Sequence, residues 1–292
     1  MIPSPQRDRG GRWAVLLLTT PFFVLFTAVV IAPLGYALWL SLFKEQSSGL
    51  GFGGSRSVFN GLGNYLSTLA DQAFLDGFAV VGLYAVLYIP LMLGGALVLA
   101  LLLDSGAALL RKFFQLALFM PHVVPGVIAG LIWLYLYLPG ISPIVDLLGE
   151  TDFLGGDHVL GSVVNVTVWE WIGYNMVIFY AALQAVPREV LEAARMDGAG
   201  PIRVALRVKL PLIRGAAITA LLFTVIGSLQ LFNEPMVMDA VSDGIVSTWT
   251  PNMYAYAEAF GKNDVGQAAA ASLLLAALAA VLSFFVTKWG NK

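Results

Sequence analysis

The sequence predicts an all-α integral membrane protein with six transmembrane helices and both termini on the cytoplasmic side. Composition, a series of uncharged runs and the placement of lysine and arginine carry that prediction. Hydrophobic residues make up 59% of the 292 residues and charged residues 12%, against about 45–50% and about 25% in soluble domains. A chain with a mean hydropathy of +0.82 belongs in lipid. It has no cysteine, which excludes disulfides and thiolate metal sites. Its two histidines, His122 and His158, are too few for a histidine-rich metal site, so no metal ligand set is expected.

A short polar head carries Arg7, Arg9 and Arg12, and residues 13–43 then contain no charge. That exceeds the roughly 20 residues a helix needs to cross a bilayer. A cleavable leader would instead have an apolar region of about 7–15 residues and a small-residue cleavage site. Residues 44–76 form a polar, Gly/Ser-rich outer segment containing FNGLGNYLSTLADQAF. The second span lies within 76–104, and a tight connection at 104–112 leads to a third span at 113–138, where Pro121 and Pro125 should weaken or bend the helix. An acidic loop over 139–161 has Asp146, Glu150, Asp152 and Asp157 and no basic residue. The fourth span, about 162–186, carries WEWIGYNM; the fifth, about 215–238, carries SLQLFNEP. A last outer loop at 239–264 contains WTPNMYAYAEAF, and the sixth span at 265–287 ends at Lys288.

Basic residues concentrate in short cytoplasmic loops. Placing the head, the 104–112 and 187–214 loops and the tail on one side gathers thirteen of the sixteen lysines and arginines there. Lys44, Arg56 and Lys262 remain for the other face. Only an even number of crossings satisfies this arrangement, and the apolar runs number six.

The stretch EAARMDGAGPIRVALRVKLP at 192–211 is the one long segment dense in charge. Its local signals describe two short helices. Pro187 suits a first helical position, Glu189 complements the helix dipole and Gly198 offers a stop. Gly198-Ala199-Gly200 turns the chain, and Pro201 starts a second helix that should end before Pro211. Val190, Leu191 and Ala194 share one face of the first helix; Ile202, Ala205 and Leu206 share one face of the second.

The order Glu-Ala-Ala, Asp-Gly-Ala and Leu-Pro in this loop resembles the coupling loop of binding-protein-dependent ABC importer permeases. Within that family the sequence is most similar to the carbohydrate-uptake group of maltose- and lactose-type systems, and related permeases have a similar GL-NY run just outside the membrane. Two features depart from the family pattern. Ala205 and Leu206 stand where an aromatic residue often precedes Leu-Pro, and AVSDGIVSTWTP replaces the Gly-Gly-Pro of the last outer loop. The resemblance implies an ABC type I importer permease fold in the plasma or inner membrane, with residues 1–75 as head, first helix and outer loop, and 76–292 as a five-helix core containing the coupling loop at about 187–214. It implies a second homologous permease, two cytoplasmic ATPase subunits, an extracellular or periplasmic substrate-binding protein and a sugar substrate. Glu192, Ala193, Ala194, Asp197, Gly198 and Pro211 are then the ATPase-coupling residues.

The chain itself has no phosphate-binding loop: its only Gly-Lys pair, Gly261-Lys262, is followed by asparagine. No catalytic constellation is evident either, so ATP and magnesium would be used by the partner ATPase and no cofactor by this chain. Polar residues inside spans mark the expected substrate path because they are costly in hydrocarbon. Those residues are Glu170, Asn175 and Gln230, and matching to maltose-type permeases adds Trp169, Gly173, Thr224 and Ser228. Such residues also serve simply to join helices. The alternative function is a proton-coupled secondary transporter using Glu170 as carrier, which would leave the cytoplasmic helix pair unexplained.

Overall fold

The structure, a computed structural model, describes residues 9–47, 55–105, 110–142, 145, 147 and 151–290. Arg7, the connection at 106–109, Asp146, Glu150 and Lys292 lie outside the described residues. Helices α1 (Arg9–Phe26) and α2 (Ala32–Ser41) flank a π turn at Thr27–Ile31 and form the first long apolar stretch. A hairpin follows, β1 (Phe43–Ser47) antiparallel to β2 (Ser55–Phe59), then α3 (Gly63–Ala70) and α4 (Gln72–Asp104). Composition marks residues 44–76 only as a polar, Gly/Ser-rich segment. The alternation in Ser55–Phe59 is too short and too polar to announce a strand.

At 33 residues, α4 is about 50 Å long. Val81, Tyr84, Tyr88, Met92, Ala96, Ala100 and Leu103 form one buried stripe along it. The stripe packs on α7 (Val159–Gln184), whose own buried set runs from Val159 to Leu183. Near the charged-loop end the contact uses small residues, Gly95, Ala96 and Ala100, so the two backbones approach closely.

Between them in sequence, α5 (Arg111–Phe119) and α6 (Gly126–Tyr137) meet at a 98° corner. The corner is a short 3₁₀ turn, Met120–Val123, followed by extended Val124 (ψ 128°). Pro125 imposes that geometry, because its ring disfavours a helical residue before it. The expected proline bend is thus a full change of direction. At Gly173 a side chain would collide with the backbone of Leu118 and Phe119, so α5 seats directly on α7.

The charged loop contributes α8 (Arg188–Met196), α9 (Pro201–Val204), a π turn at Ala205–Lys209 and α10 (Leu210–Leu212). The second helix therefore runs through Pro211 instead of stopping before it. Both Pro33 in α2 and Pro211 in α10 follow a π turn. A wider turn moves the preceding carbonyl away from the ring, relieving the clash that would break an α-helix. The remaining helices are α11 (Arg214–Leu229), α12 (Asn233–Met238), α13 (Pro251–Tyr256) and α14 (Val265–Gly290).

Four stretches are long and apolar enough to cross a membrane: Val15–Ser41, Gln72–Asp104, Arg214–Met238 and Val265–Lys288. Counting the cornered pair as one crossing makes five. A sixth requires α7, which has the length but carries Thr167, Glu170 and Asn175 among its buried residues. Packed along α4, it shows lipid less of its surface and can hold polar groups a lipid-facing helix would not.

The first span buries almost nothing against the rest of the chain and is tied at one end. Asn64 Nδ2 donates to the carbonyls of both Ser41 and Phe43 at 2.8 Å, and Ser41 Oγ lies 2.7 Å from Tyr65 Oη. Gly266 of α14 lets the Phe43 carbonyl and Asn64 pass where a side chain would clash. This gives the Asn-Tyr pair of the GL-NY run a physical role. Replacing Asn64 with leucine strands two carbonyls, at a cost of about 1–3 kcal/mol each. We expect a lowered thermal midpoint for the purified protein and faster proteolysis after Ser41; an unchanged midpoint would refute that role.

Candidate functional site

The fifth span is interrupted. Helix α11 ends at Leu229, Gln230 to Phe232 leave helical geometry, and α12 resumes at Asn233. An interruption at this depth frees carbonyls that lipid cannot satisfy. Side chains of the last loop meet them: Asn252 Nδ2 donates to Leu229 O at 2.8 Å and Thr250 Oγ1 to Leu231 O at 3.0 Å. The same Thr250 hydroxyl accepts from Met253 N at 3.2 Å and caps α13, with Pro251 at its first turn. The FNEP and TPN runs are therefore two halves of one construction.

That interruption forms one wall of a cavity of about 240 Å³. Aromatic lining comes from Tyr84, Tyr88, Trp171, Tyr174, Phe223 and Phe232, and polar lining from Thr167, Asn175, Thr224, Gln230, Asn233 and Glu234. Tyr84 and Tyr88, one turn apart, are stacked at 5.0 Å, and Tyr84 Oη donates to Thr167 Oγ1 at 3.0 Å. Asn175 Nδ2 is turned to the Trp171 carbonyl at 3.2 Å, and Thr224 Oγ1 donates to Ala220 O at 2.7 Å. His122 packs its ring 4.5 Å from Trp171 and 4.6 Å from Tyr174 without itself lining the cavity.

Of the residues expected along a substrate path, Asn175, Thr224 and Gln230 line this cavity. Trp169 packs edge-on to Trp133 at 5.7 Å, Gly173 meets α5, and Ser228 Oγ donates to the Thr224 carbonyl at 2.8 Å. Glu170 is only 5% exposed and adjacent, carboxyl to carboxyl, to Glu234, which is 7% exposed. Among the described residues, Glu170 Oε2 is buried without a hydrogen-bond partner. Sequence reasoning passed over the α4 tyrosines as lining; two tyrosines one turn apart in an otherwise aliphatic span were the available signal.

At the opposite end of the bundle, α8 ends as its sequence requires. Ala199 N donates to Ala194 O and Gly198 N to Arg195 O, both at 3.0 Å, with Gly198 at φ +76°. This is the paired-bond stop that glycine favours because it has no Cβ. Helix α8 buries no residue. Glu192, Ala193, Asp197, Gly198 and Pro211 are exposed, Ala194 partly so. Met196 is 88% and Ile202 76% exposed, so the strongly amphipathic pair shows an apolar edge to solvent. Its return leg is anchored: Lys209 pairs with Asp104 at the end of α4, and Gln184 Nε2 from the end of α7 donates to the same carboxylate at 2.7 Å. An ammonium at two helix C-termini is favourably placed against their dipoles.

Residues 72–289 match the family model described as "Binding-protein-dependent transport system inner membrane component". The chain belongs to this family. It is 34% identical over 281 residues to the sn-glycerol-3-phosphate transport system permease protein UgpA of Salmonella typhi, covering 94% of this chain and 92% of that one. The protein of the same name from Shigella flexneri is 33% identical over 283 residues. Among solved structures, a bacterial ABC transporter importing the acidic polysaccharide alginate superposes with a TM-score of 0.82 at 17% identity, over 98% of this chain and 97% of the other. The alginate transporter bound to a pentasaccharide-loaded periplasmic protein gives 0.76, also at 17% identity. The permease fold is shared, and the chain is a transport component of the inner membrane.

Thr250 joins the last loop to the interrupted span by one oxygen. Changing Thr250 to valine removes that oxygen at nearly constant shape and should destabilise the purified protein by about 1–3 kcal/mol, whereas serine should be tolerated. Equal thermal midpoints for the valine and serine variants would contradict this account of the interruption.

Proposed function

We propose that this chain is the permease subunit of an ATP-driven importer for a sugar, forming half of the translocation pore. It would cross the membrane six times with both termini in the cytoplasm. The observation that carries the coupling role is the solvent-exposed helix pair at 188–212, stopped by Gly198 and tied through Lys209 to the ends of two spans. An amphipathic surface left uncovered at the end of a membrane bundle fits a groove on a soluble partner. Glu192 offers a carboxylate to basic groups, Ala193 and Ala194 permit close approach, and Gly198 fixes the angle between the two legs.

ATP and magnesium would be held by two cytoplasmic ATPase subunits, and ATP supplies the energy there. This chain's part is mechanical. A displacement of α8 passes along the return leg to Lys209, and from Lys209 to Asp104 and Gln184, so that the ends of α4 and α7 move together. The interrupted fifth span and its cavity lie farther along the same two helices, which suits alternating access. A second, homologous permease would cover the exposed apolar face of the cornered pair, including Leu116, Val127 and Ile128. A substrate-binding protein would deliver solute from outside. Aromatic faces beside amide and carboxyl groups suit sugar rings and hydroxyls. A proton-coupled carrier built on Glu170 gives way to membership in a binding-protein-dependent family.

Gly198 provides the test. Valine at φ +76° is strongly disfavoured, while asparagine tolerates that region. In the reconstituted complex, Gly198→Val should cut substrate uptake at least about tenfold with membrane insertion intact, and Gly198→Asn should retain most of it. Normal uptake by the valine variant would remove the coupling role.

A further inference from the structure

We infer that the Glu170–Glu234 pair makes the cavity selective for a polyhydroxylated solute carrying no negative charge, an uncharged sugar or polyol, and that these two residues exclude anionic solutes. The inference rests on the reading of the cavity as the carbohydrate site and adds to it the sign of charge it accepts. It departs from the similar proteins described above, a permease for sn-glycerol 3-phosphate and an importer of an acidic polysaccharide.

Among the described residues, the lining of the cavity contains no lysine, arginine or histidine, and its one carboxylic acid is Glu234. Glu170, nineteen-twentieths buried and outside the lining, lies carboxyl to carboxyl with Glu234. A phosphate or uronate ester is normally met by arginine, lysine or a set of backbone N–H groups. Here an incoming anion would meet the Glu234 carboxyl, with Glu170 beside it, in a poorly hydrated wall. Like charges a few ångströms apart at protein-like screening disfavour binding on the order of 100-fold.

The same groups favour hydroxyls. A carboxylate accepts hydrogen bonds from O–H donors, and Glu234 presents its carboxyl to the cavity. Gln230 and Asn233 add amide donors and acceptors on the same wall. Tyr84, Tyr88 and Trp171 add aromatic surface to the same lining, which suits the apolar side of a sugar ring.

The test uses the assembled complex of this permease with its partner permease and ATPases in lipid nanodiscs, without the binding protein, which would impose its own selection. The complex is incubated with an equimolar mixture of maltose, lactose, glucose, glycerol, glucose 6-phosphate, sn-glycerol 3-phosphate and digalacturonate. Retained solutes are then identified by mass spectrometry. We expect retention of one or more uncharged members, with anions at least about 100-fold less retained. Glu170→Gln with Glu234→Gln should narrow that gap at least tenfold, and Glu234→Lys should reverse it, in variants whose assembly matches wild type by size-exclusion chromatography. Wild-type retention of the phosphates or the uronate on a par with neutral sugars would overturn the charge selection alone. So would an unchanged ratio in the assembled glutamine or lysine variants. Retention of no member of the mixture would overturn the carbohydrate reading of the cavity and the inference with it.

Discussion

Hydrocarbon supplies no hydrogen-bond partner, so each backbone group that leaves a helix inside the bundle has to be met by another part of the chain. Leu229 and Leu231 show how that condition shapes this protein. Their carbonyls are released where the fifth span breaks, and Asn252 and Thr250 take them up. Because both donors come from the last loop, that loop is built into the membrane core. The break in turn exposes Gln230, Phe232, Asn233 and Glu234 to one cavity. A continuous helix would have kept its backbone satisfied and left no such wall.

The same principle operates with less disruption at the prolines. Pro33 and Pro211 are carried by π turns that widen the helix ahead of each ring. Pro125 instead turns the chain through a corner. At Pro211 the consequence is mechanical, since the return leg of the charged loop remains helical into α10 and ends one residue before the buried Ile213. Lys209 lies in that widened turn. Its contact with Asp104, and through it with Gln184, joins the exposed helix pair to the long α4–α7 contact that supports the cavity.

Much of this was legible in the sequence, and the parts that were not share a cause. The uncharged runs at 13–43, 77–103 and 265–287 mark long helices because lipid selects on composition alone. Gly198 and Pro201 marked the limits of the two short helices because their backbone preferences are local. The hairpin at Phe43–Phe59 escaped because its strands are short and polar and are held by a ladder that no single residue announces. The continuation through Pro211 escaped because helix-stop rules assume α geometry throughout. Within the site, charge in a span pointed to Glu170, while the tyrosines of α4 stayed hidden among aliphatic residues. Which residues of α7 face the cavity depends on the helix rotation fixed by Gly173 against α5, and that contact is invisible from spacing. Thus Trp169 and Trp171, two residues apart, end on different surfaces.

The central claim is that the bend between α8 and α9 is a handle worked from the cytosol. The chain has no native cysteine, so Met196→Cys creates a unique reporter at a highly exposed position beside that bend. A membrane-impermeant maleimide applied to intact cells and to inside-out vesicles tests the claim directly. The account predicts labelling only in the inside-out vesicles and protection there once the ATPase subunits are bound. Labelling from the outside of intact cells, or full labelling in the presence of bound ATPases, would contradict it.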